Sequence, residues 1–179
     1  MKYFYLILVV LIGISCQTHE PREPVVKRSG QFLKRSSKLH KAIQKRQEKE
    51  IYKIIKQDSL HHYHVSPNGF WYRYDQKNNQ DTLKPEFGDL VNFNYNITTL
   101  DGQPIYTQKE IGTQEYKMDQ EDLFSGLRNG LKLMKEEETV TFYFPSSVAF
   151  DYYGDRNKIG HNVPIRATVT LNSIKKNEN

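Results

Sequence analysis

Few side chains in this 179-residue chain are grouped for acid–base, nucleophilic or metal chemistry. His61-His62-Tyr63-His64 offers imidazoles, and His62 and His64 would share one face of a strand. Imidazole pairs alone rarely close a metal site, and no cysteine or carboxylate cluster accompanies them, so a solvated loop ahead of a domain is the better reading and no metal is expected. Glu136-Glu137-Glu138 reads as a turn between a helix and a strand rather than an ion site. No phosphate-binding loop, nucleophile elbow or serine–histidine pattern is present. The segment from Phe124 to Ile174 is different. It runs Phe124-Ser-Gly126-Leu127, Gly130, Thr139-Val-Thr-Phe-Tyr-Phe-Pro145, Ala149-Phe150, Gly154, Ile159, Val163-Pro164-Ile165 and Ala167 to Ile174. Apolar residues, glycines and a proline in that order serve a pocket as well as a core. What such a pocket supplies is shape and exclusion of water rather than a reactive group.

The elements that must build this pocket can be read from periodicity. Ser66-Pro-Asn-Gly69 is turn chemistry, followed by a β-rich strand over Phe70-Trp-Tyr-Arg-Tyr74, and Asn78-Asn79 marks a turn. After Phe87-Gly88-Asp89, Leu90, Asn92, Asn94 and Asn96 alternate with Val91, Phe93, Tyr95 and Ile97, the period-2 signature of a half-buried strand. Leu100-Asp101-Gly102 is a hairpin turn, because Asp-Gly tolerates positive φ. Asp119, Glu121 and Asp122 suit the start of a short helix over Leu123–Met134. Strands at 139–144 and 166–174 complete the set. About five antiparallel strands around one short helix is an α+β half-barrel.

Taken with Asn94-Tyr95 and Leu100-Asp101-Gly102, the order and spacing of the 124–174 segment resemble the FKBP family of peptidyl-prolyl isomerases over roughly the last 90 residues. The resemblance implies the same half-barrel and a domain at 66–176. It implies a catalytic set of Tyr95, Phe124, Leu127, Phe150 and Ile159, with Ile105, Tyr106, Tyr116, Leu123 and Ala167 binding substrate and no cofactor. The Phe124 backbone N–H would hold the substrate carbonyl. Proline isomerisation needs no proton transfer: the barrier, about 18–20 kcal/mol, is lost amide resonance. A twisted amide is less polar than a planar one, so a dry cleft with one hydrogen-bond donor favours it. The sequence departs from the family pattern at several positions. Tyr106 stands where the family has an acidic residue, and Phe150 replaces a ligand-contacting tyrosine. Leu127 replaces the floor tryptophan, Gly160-His161 the double proline, and Ala167 a phenylalanine. Leu127 and Ala167 are expected to widen the cleft and make it shallower. Loss of two orienting groups predicts a weak isomerase, about 10–100-fold below a typical member if the loss falls in the transition state.

The rest of the chain concerns placement. With 37% apolar residues, it supports one domain of about 100–150 residues plus attachments. Lys2 precedes an uncharged run from Tyr3 to Ile12, shorter than the ~20 residues that span a bilayer and typical of an export signal. Ile14-Ser15-Cys16 reads as a lipobox, making residues 1–16 a lipoprotein signal and Cys16, the sole cysteine, the lipidated residue. Ordinary cleavage after small residues, or an uncleaved anchor, are the alternatives. Cys16 once modified leaves no thiol for redox chemistry or a disulfide. The predicted location is the bacterial cell envelope, as a membrane-anchored lipoprotein exposed to the periplasm; the formal glycosylation sequon Asn96-Ile97-Thr98 is then expected to be empty.

Residues 17–30, with Pro21, Pro24 and Gly30, read as a flexible tether. A basic amphipathic helix follows over 31–62, with Leu39, Ile43, Ile51 and Ile54/Ile55 at helical spacing and a gap in the stripe at Gln47. Charge is uneven: residues 20–56 carry twelve Lys/Arg against four Asp/Glu, and residues 57–179 carry thirteen against seventeen. The helix reads as a solvated spacer lifting the domain from the membrane, as a surface docking on the domain or on a second copy, or as a headgroup-attracting arm. Nucleic acid is not an expected partner, since the segment lies outside the cytoplasm. The export signal, the basic helix, Asn68-Gly-Phe-Trp-Tyr72 and a divergent FKBP domain together look like the gliding-motility-associated FKBP-type lipoproteins. The expected partners are proline-containing polypeptide clients in the envelope and the membrane itself. The competing expectation is a weak or inactive FKBP-like binding module that scaffolds partner proteins.

Overall fold

The computed structural model describes residues 29–178. The signal segment 1–16, with Cys16, and most of the tether lie outside the described residues. From Lys38 onward the chain packs as one compact unit. Its elements are helix α1 (Ser29–Gln57), β1 (His64–Val65), β2 (Trp71–Gln76), β3 (Leu90–Thr98), β4 (Pro104–Tyr106), α2 (Gln108–Ile111), β5 (Gln114–Lys117), α3 (Ser125–Leu131), β6 (Thr139–Phe144) and β7 (Ile165–Lys175). A single-turn 3-10 helix, Ser146–Val148, follows β6. All strand pairs are antiparallel. The seven strands run in the order β1-β2-β6-β7-β3-β4, with β5 also on β3. This is the expected α+β half-barrel, with short strands β1, β4 and β5 added to those read from periodicity.

Alternation fixes which side of the sheet is dry. On β3 and β7, Val91, Phe93, Ile97, Ile165, Ala167, Val169 and Leu171 point into the core, as a period of two requires. On β6, Val140, Phe142 and Phe144 face the same core, with the Phe142 and Phe144 rings stacked 5.4 Å apart. Helix α3 lies on these two rings because Gly126 and Gly130 have no side chain. A Cβ at Gly126 would sit 2.6 Å from the Phe144 ring and 2.7 Å from the Val148 carbonyl oxygen. At Gly130 it would sit 2.9 Å from the Phe142 ring.

The short helix is shorter than its apolar pattern predicts. Phe124 is its cap, in an extended conformation (φ −60°, ψ 141°), and the helix closes at Leu131 rather than Met134. The acidic residues expected to open it lie before its first turn. Asp119 instead reaches across to Lys132 Nζ at 2.7 Å and to Arg128 Nε at 3.7 Å. The Asp-Gly hairpin forms as expected: Gly102 has φ +96°, and its N–H donates to the Thr99 carbonyl at 3.0 Å.

Helix α1 differs from the segment read at 31–62. It begins at Ser29 and stops at Gln57. The Asp58 carboxylate accepts from the Leu60 N–H at 3.1 Å, turning the chain out of the helix, the usual way a short acidic side chain competes with helical bonding. From Lys38 on, the helix is not a solvated spacer. Ile51 is fully buried in a small second core with Leu100 and Tyr143, flanked by Ile54, Ile55, Tyr63 and Trp71. Gln47, the gap in the apolar stripe, is itself 1% exposed. Strand β6 is therefore covered on both faces, by α3 on one and by α1 at Tyr143 on the other.

The two polar clusters are structural. Glu138 is buried and accepts from the Lys135 and Asn78 N–H groups, which closes the turn between α3 and β6. His64 stacks on Tyr72 at 5.1 Å, and His61 pairs with Asp58 at 2.8 Å. Among the described residues no group of three His, Cys, Asp or Glu is placed to hold a metal ion, and no helix is long and apolar enough to cross a membrane.

Candidate active site

Ten residues from seven parts of the chain belong to the main apolar core cluster. Tyr95 comes from β3, Ile105 and Tyr106 from β4, Tyr116 from β5, Leu123 and Phe124 from the approach to α3, Leu127 from α3, Phe150 and Ile159 from the loop after β6, and Ala167 from β7. These are the ten residues that the family spacing implies.

Burial sorts them into a floor and a rim. Leu127 and Ala167 are fully buried, and Tyr116 and Ile159 are 3% exposed. Tyr95, Ile105, Tyr106, Leu123, Phe124 and Phe150 are half-buried, each with one side open. The second set is the part of the cluster open to solvent. Leu127 and Ala167, the two positions expected to widen the cleft, are themselves closed off from solvent. Tyr95 shows the transition from core to cleft. Its same-face neighbours Phe93 and Ile97 are 1% and 2% exposed, whereas Tyr95 between them is only half covered. Burial pushes its phenol pKa up.

Aromatic edges frame the candidate site. The Phe124 and Phe150 rings are tilted 44° with centroids 5.0 Å apart, and Phe124 meets Phe144 edge-on at 5.5 Å. Offset and edge contacts of this kind are the favourable ones for aromatic quadrupoles. Phe124 caps α3 through its carbonyl, which accepts from the Arg128 N–H at 3.1 Å. Its own N–H makes no hydrogen bond among the described residues. A helix start leaves its first N–H groups without internal partners, so this donor is available to a carbonyl placed beside the two rings.

A polar latch crosses one side of the rim, and sequence reasoning missed most of it. The Tyr106 hydroxyl donates to the Asp155 carboxylate. Asp155 also accepts from the Asn157 N–H at 2.9 Å and the Ile159 N–H at 2.8 Å. Lys158 Nζ lies 2.6 Å from Glu110 and 4.8 Å from the centre of the Tyr106 ring. Burial alone would raise the Asp155 pKa, but the Tyr106 hydroxyl and the two backbone donors outweigh it and hold it below the usual carboxylate value. The same bond raises the Tyr106 phenol pKa. Of positions 106 and 150, the phenol therefore stands at 106, on β4, where it is engaged by a carboxylate from the loop. One component was signalled in the sequence: Thr107-x-x-Glu110 is a capping box, and it forms, with Thr107 Oγ1 accepting from the Glu110 N–H. Nothing local signals Asp155, whose partner Tyr106 is 49 residues away.

The comparisons with known proteins agree with the fold. A family model for the FKBP-type peptidyl-prolyl cis-trans isomerase matches residues 81–172. FkpA from Escherichia coli superposes with a TM-score of 0.61 at 19% identity, over 98% of this chain and 83% of that one. A peptidyl-prolyl cis-trans isomerase from Pseudomonas syringae pv. tomato superposes with a TM-score of 0.58 at 16% identity, over 74% of this chain and 96% of that one. At these identities the likeness to the two structures is one of fold.

Proposed function

The chain belongs to the FKBP-type peptidyl-prolyl cis-trans isomerase family, and from that premise we propose that it accelerates cis–trans exchange at X-Pro bonds of client polypeptides through the cleft bounded by Tyr95, Phe124 and Phe150. The observation that carries the reading is the unpaired Phe124 N–H beside the tilted Phe124–Phe150 pair. A carbonyl next to the proline accepts from that N–H, and the ring sits against the two aromatic walls. As the imide twists it loses polarity, so an apolar wall favours the transition state over the planar ground state. Uncatalysed exchange takes about 10–100 s, slow enough for such catalysis to matter to folding.

The site of action proposed is the bacterial envelope, with Cys16 lipidated and the domain held near the membrane by the residues that precede α1. Support for this part comes from Lys2, the apolar run Tyr3–Ile12 and Ile14-Ser15-Cys16. The clients proposed are envelope proteins, including motility and secretion machinery, on the strength of the sequence resemblance to gliding-motility-associated lipoproteins.

A second reading, a binding module with little or no catalysis, is favoured by Phe150 and Tyr106, which change the two orienting positions of the family pattern. An exchange assay on an X-Pro peptide with the purified full chain separates them. Acceleration at micromolar protein supports the isomerase, and binding of the same peptide without acceleration supports the scaffold.

A further inference from the structure

The side chain of Gln47 is buried in the middle of a helix face, and its amide is used completely enough to explain why. Its Oε1 accepts from the Ser146 N–H at 2.9 Å and from the Ser146 hydroxyl at 3.0 Å, and its Nε2 donates to the Asn162 carbonyl at 2.7 Å. Ser146 and Asn162 are the two ends of the loop that carries Phe150 and Ile159. Between them the neck is closed by the Asp151 N–H donating to the Ser146 carbonyl at 2.7 Å and the Asn162 N–H donating to the Asp151 carbonyl at 3.1 Å. A single planar amide bonded to both ends sets the distance between them. Ile51, one turn further along α1, holds the helix in place against Leu100 and Tyr143.

We propose that Gln47 is a positioning residue for the candidate proline site: by clamping both ends of the 146–162 loop, it sets where the Phe150 and Ile159 walls stand. Helix α1 is then a working part of the site and not only a link toward the membrane. A leucine would fill the same space and complete the apolar stripe from Ile43 to Ile51, yet it would leave the buried Ser146 N–H and the half-buried Asn162 carbonyl without their partner, which is costly. The amide is what the location requires. The Tyr106–Asp155 contact holds the middle of the loop, so the loop is tied at two places that share no residue.

The inference rests on the isomerase reading for its functional consequence but not for its structural one, and the test separates the two. In the full chain, Gln47→Leu removes the clamp, whereas Ile51→Ala weakens the seating of α1 and leaves the clamp's chemistry intact. Gln47→Leu is expected to lower kcat/KM for an X-Pro peptide by about 10- to 100-fold, as for a reacting geometry displaced by about 1 Å. It should also speed hydrogen exchange at the Ser146 amide and shift the Ile159 methyl resonances. Ile51→Ala should lower Tm with kcat/KM within about twofold of the wild type. Unchanged kcat/KM and an unmoved Ile159 signal in Gln47→Leu overturn the proposal. So does an equal loss of activity in both variants, measured where both are folded, because Gln47 would then be contributing stability alone. If the wild type shows no isomerase activity, the isomerase reading fails by itself, and the Ser146 exchange and Ile159 shift still decide whether Gln47 positions the loop.

Discussion

The Tyr106 hydroxyl and the Asp155 carboxylate join across the rim of the cleft, from β4 to the loop after β6. The same carboxylate takes the Ile159 N–H at 2.8 Å, so one side chain links a rim residue to the backbone of a floor residue. The rim on this side is therefore ordered before any ligand arrives, which lowers the entropic cost of binding one.

Removing that link has a definite consequence. Asp155→Ala deprives the Tyr106 hydroxyl, the Asn157 N–H and the Ile159 N–H of their acceptor, and should cost about 1–3 kcal/mol, because the donors regain water only in part. Urea unfolding gives the loss, and amide exchange at Ile159 should quicken. Tyr106→Phe, which leaves the two backbone bonds, should do less on both measures.

The Phe124–Phe150 pair predicts a split between binding and folding. Phe150→Ala removes one aromatic wall at a half-buried position, so the stability loss should stay near 1–2 kcal/mol, below the ~3–5 kcal/mol typical of a fully buried phenylalanine. Binding of a proline peptide, measured by titration, should weaken about tenfold or more, and any isomerase activity should fall with it. Unchanged binding would show that the cleft lies elsewhere.

Gly126→Ala tests the seat of α3. A methyl group there meets the Phe144 ring at 2.6 Å and the Val148 carbonyl oxygen at 2.7 Å, and neither can give way freely inside a close-packed core. The expected cost is about 1–3 kcal/mol despite alanine's better helix propensity, read as a lower denaturation midpoint. Gly30→Ala, with nothing within 4 Å, should instead be neutral or stabilising.

The Glu110–Lys158 latch carries a pH signature. A hydrogen bond from the Lys158 ammonium, then donors from Thr107, lower the Glu110 pKa from 4.5 to about 2. A carboxyl whose folded pKa is depressed stabilises the latch fully above its unfolded value, and the contribution disappears as pH falls through the folded one. The latch should therefore be intact at neutral pH and lost between about 4.5 and 2. Carbon-13 titration of the Glu110 carboxyl should show a midpoint near 2 in the wild type and a rise toward 4.5 in Lys158→Ala.

Much of the scaffold was readable without coordinates because its signals are local. The alternation from Leu90 to Ile97, the β-rich runs at 139–144 and 166–174, and the Asp101-Gly102 turn each depend on neighbours a few residues apart. The ten candidate site residues were named only through the resemblance to the FKBP family, and all ten lie in or against the main apolar core. Folding added what no periodicity holds. Gln47 looked like a flaw in an apolar stripe until a loop 99 residues away supplied its partners. Leu127 and Ala167, expected to widen the cleft, are themselves closed off from solvent by their neighbours. Tyr106 gave no sign of a polar partner until Asp155, 49 residues on, came to face it. Patterns of burial belong to a segment and survive in its sequence, whereas the pairing of one polar atom with another is decided by where distant segments cross. For this chain, the sequence determined the half-barrel and the apolar residues of the candidate site, and the tertiary structure decided which of them lie open to solvent and what holds them still.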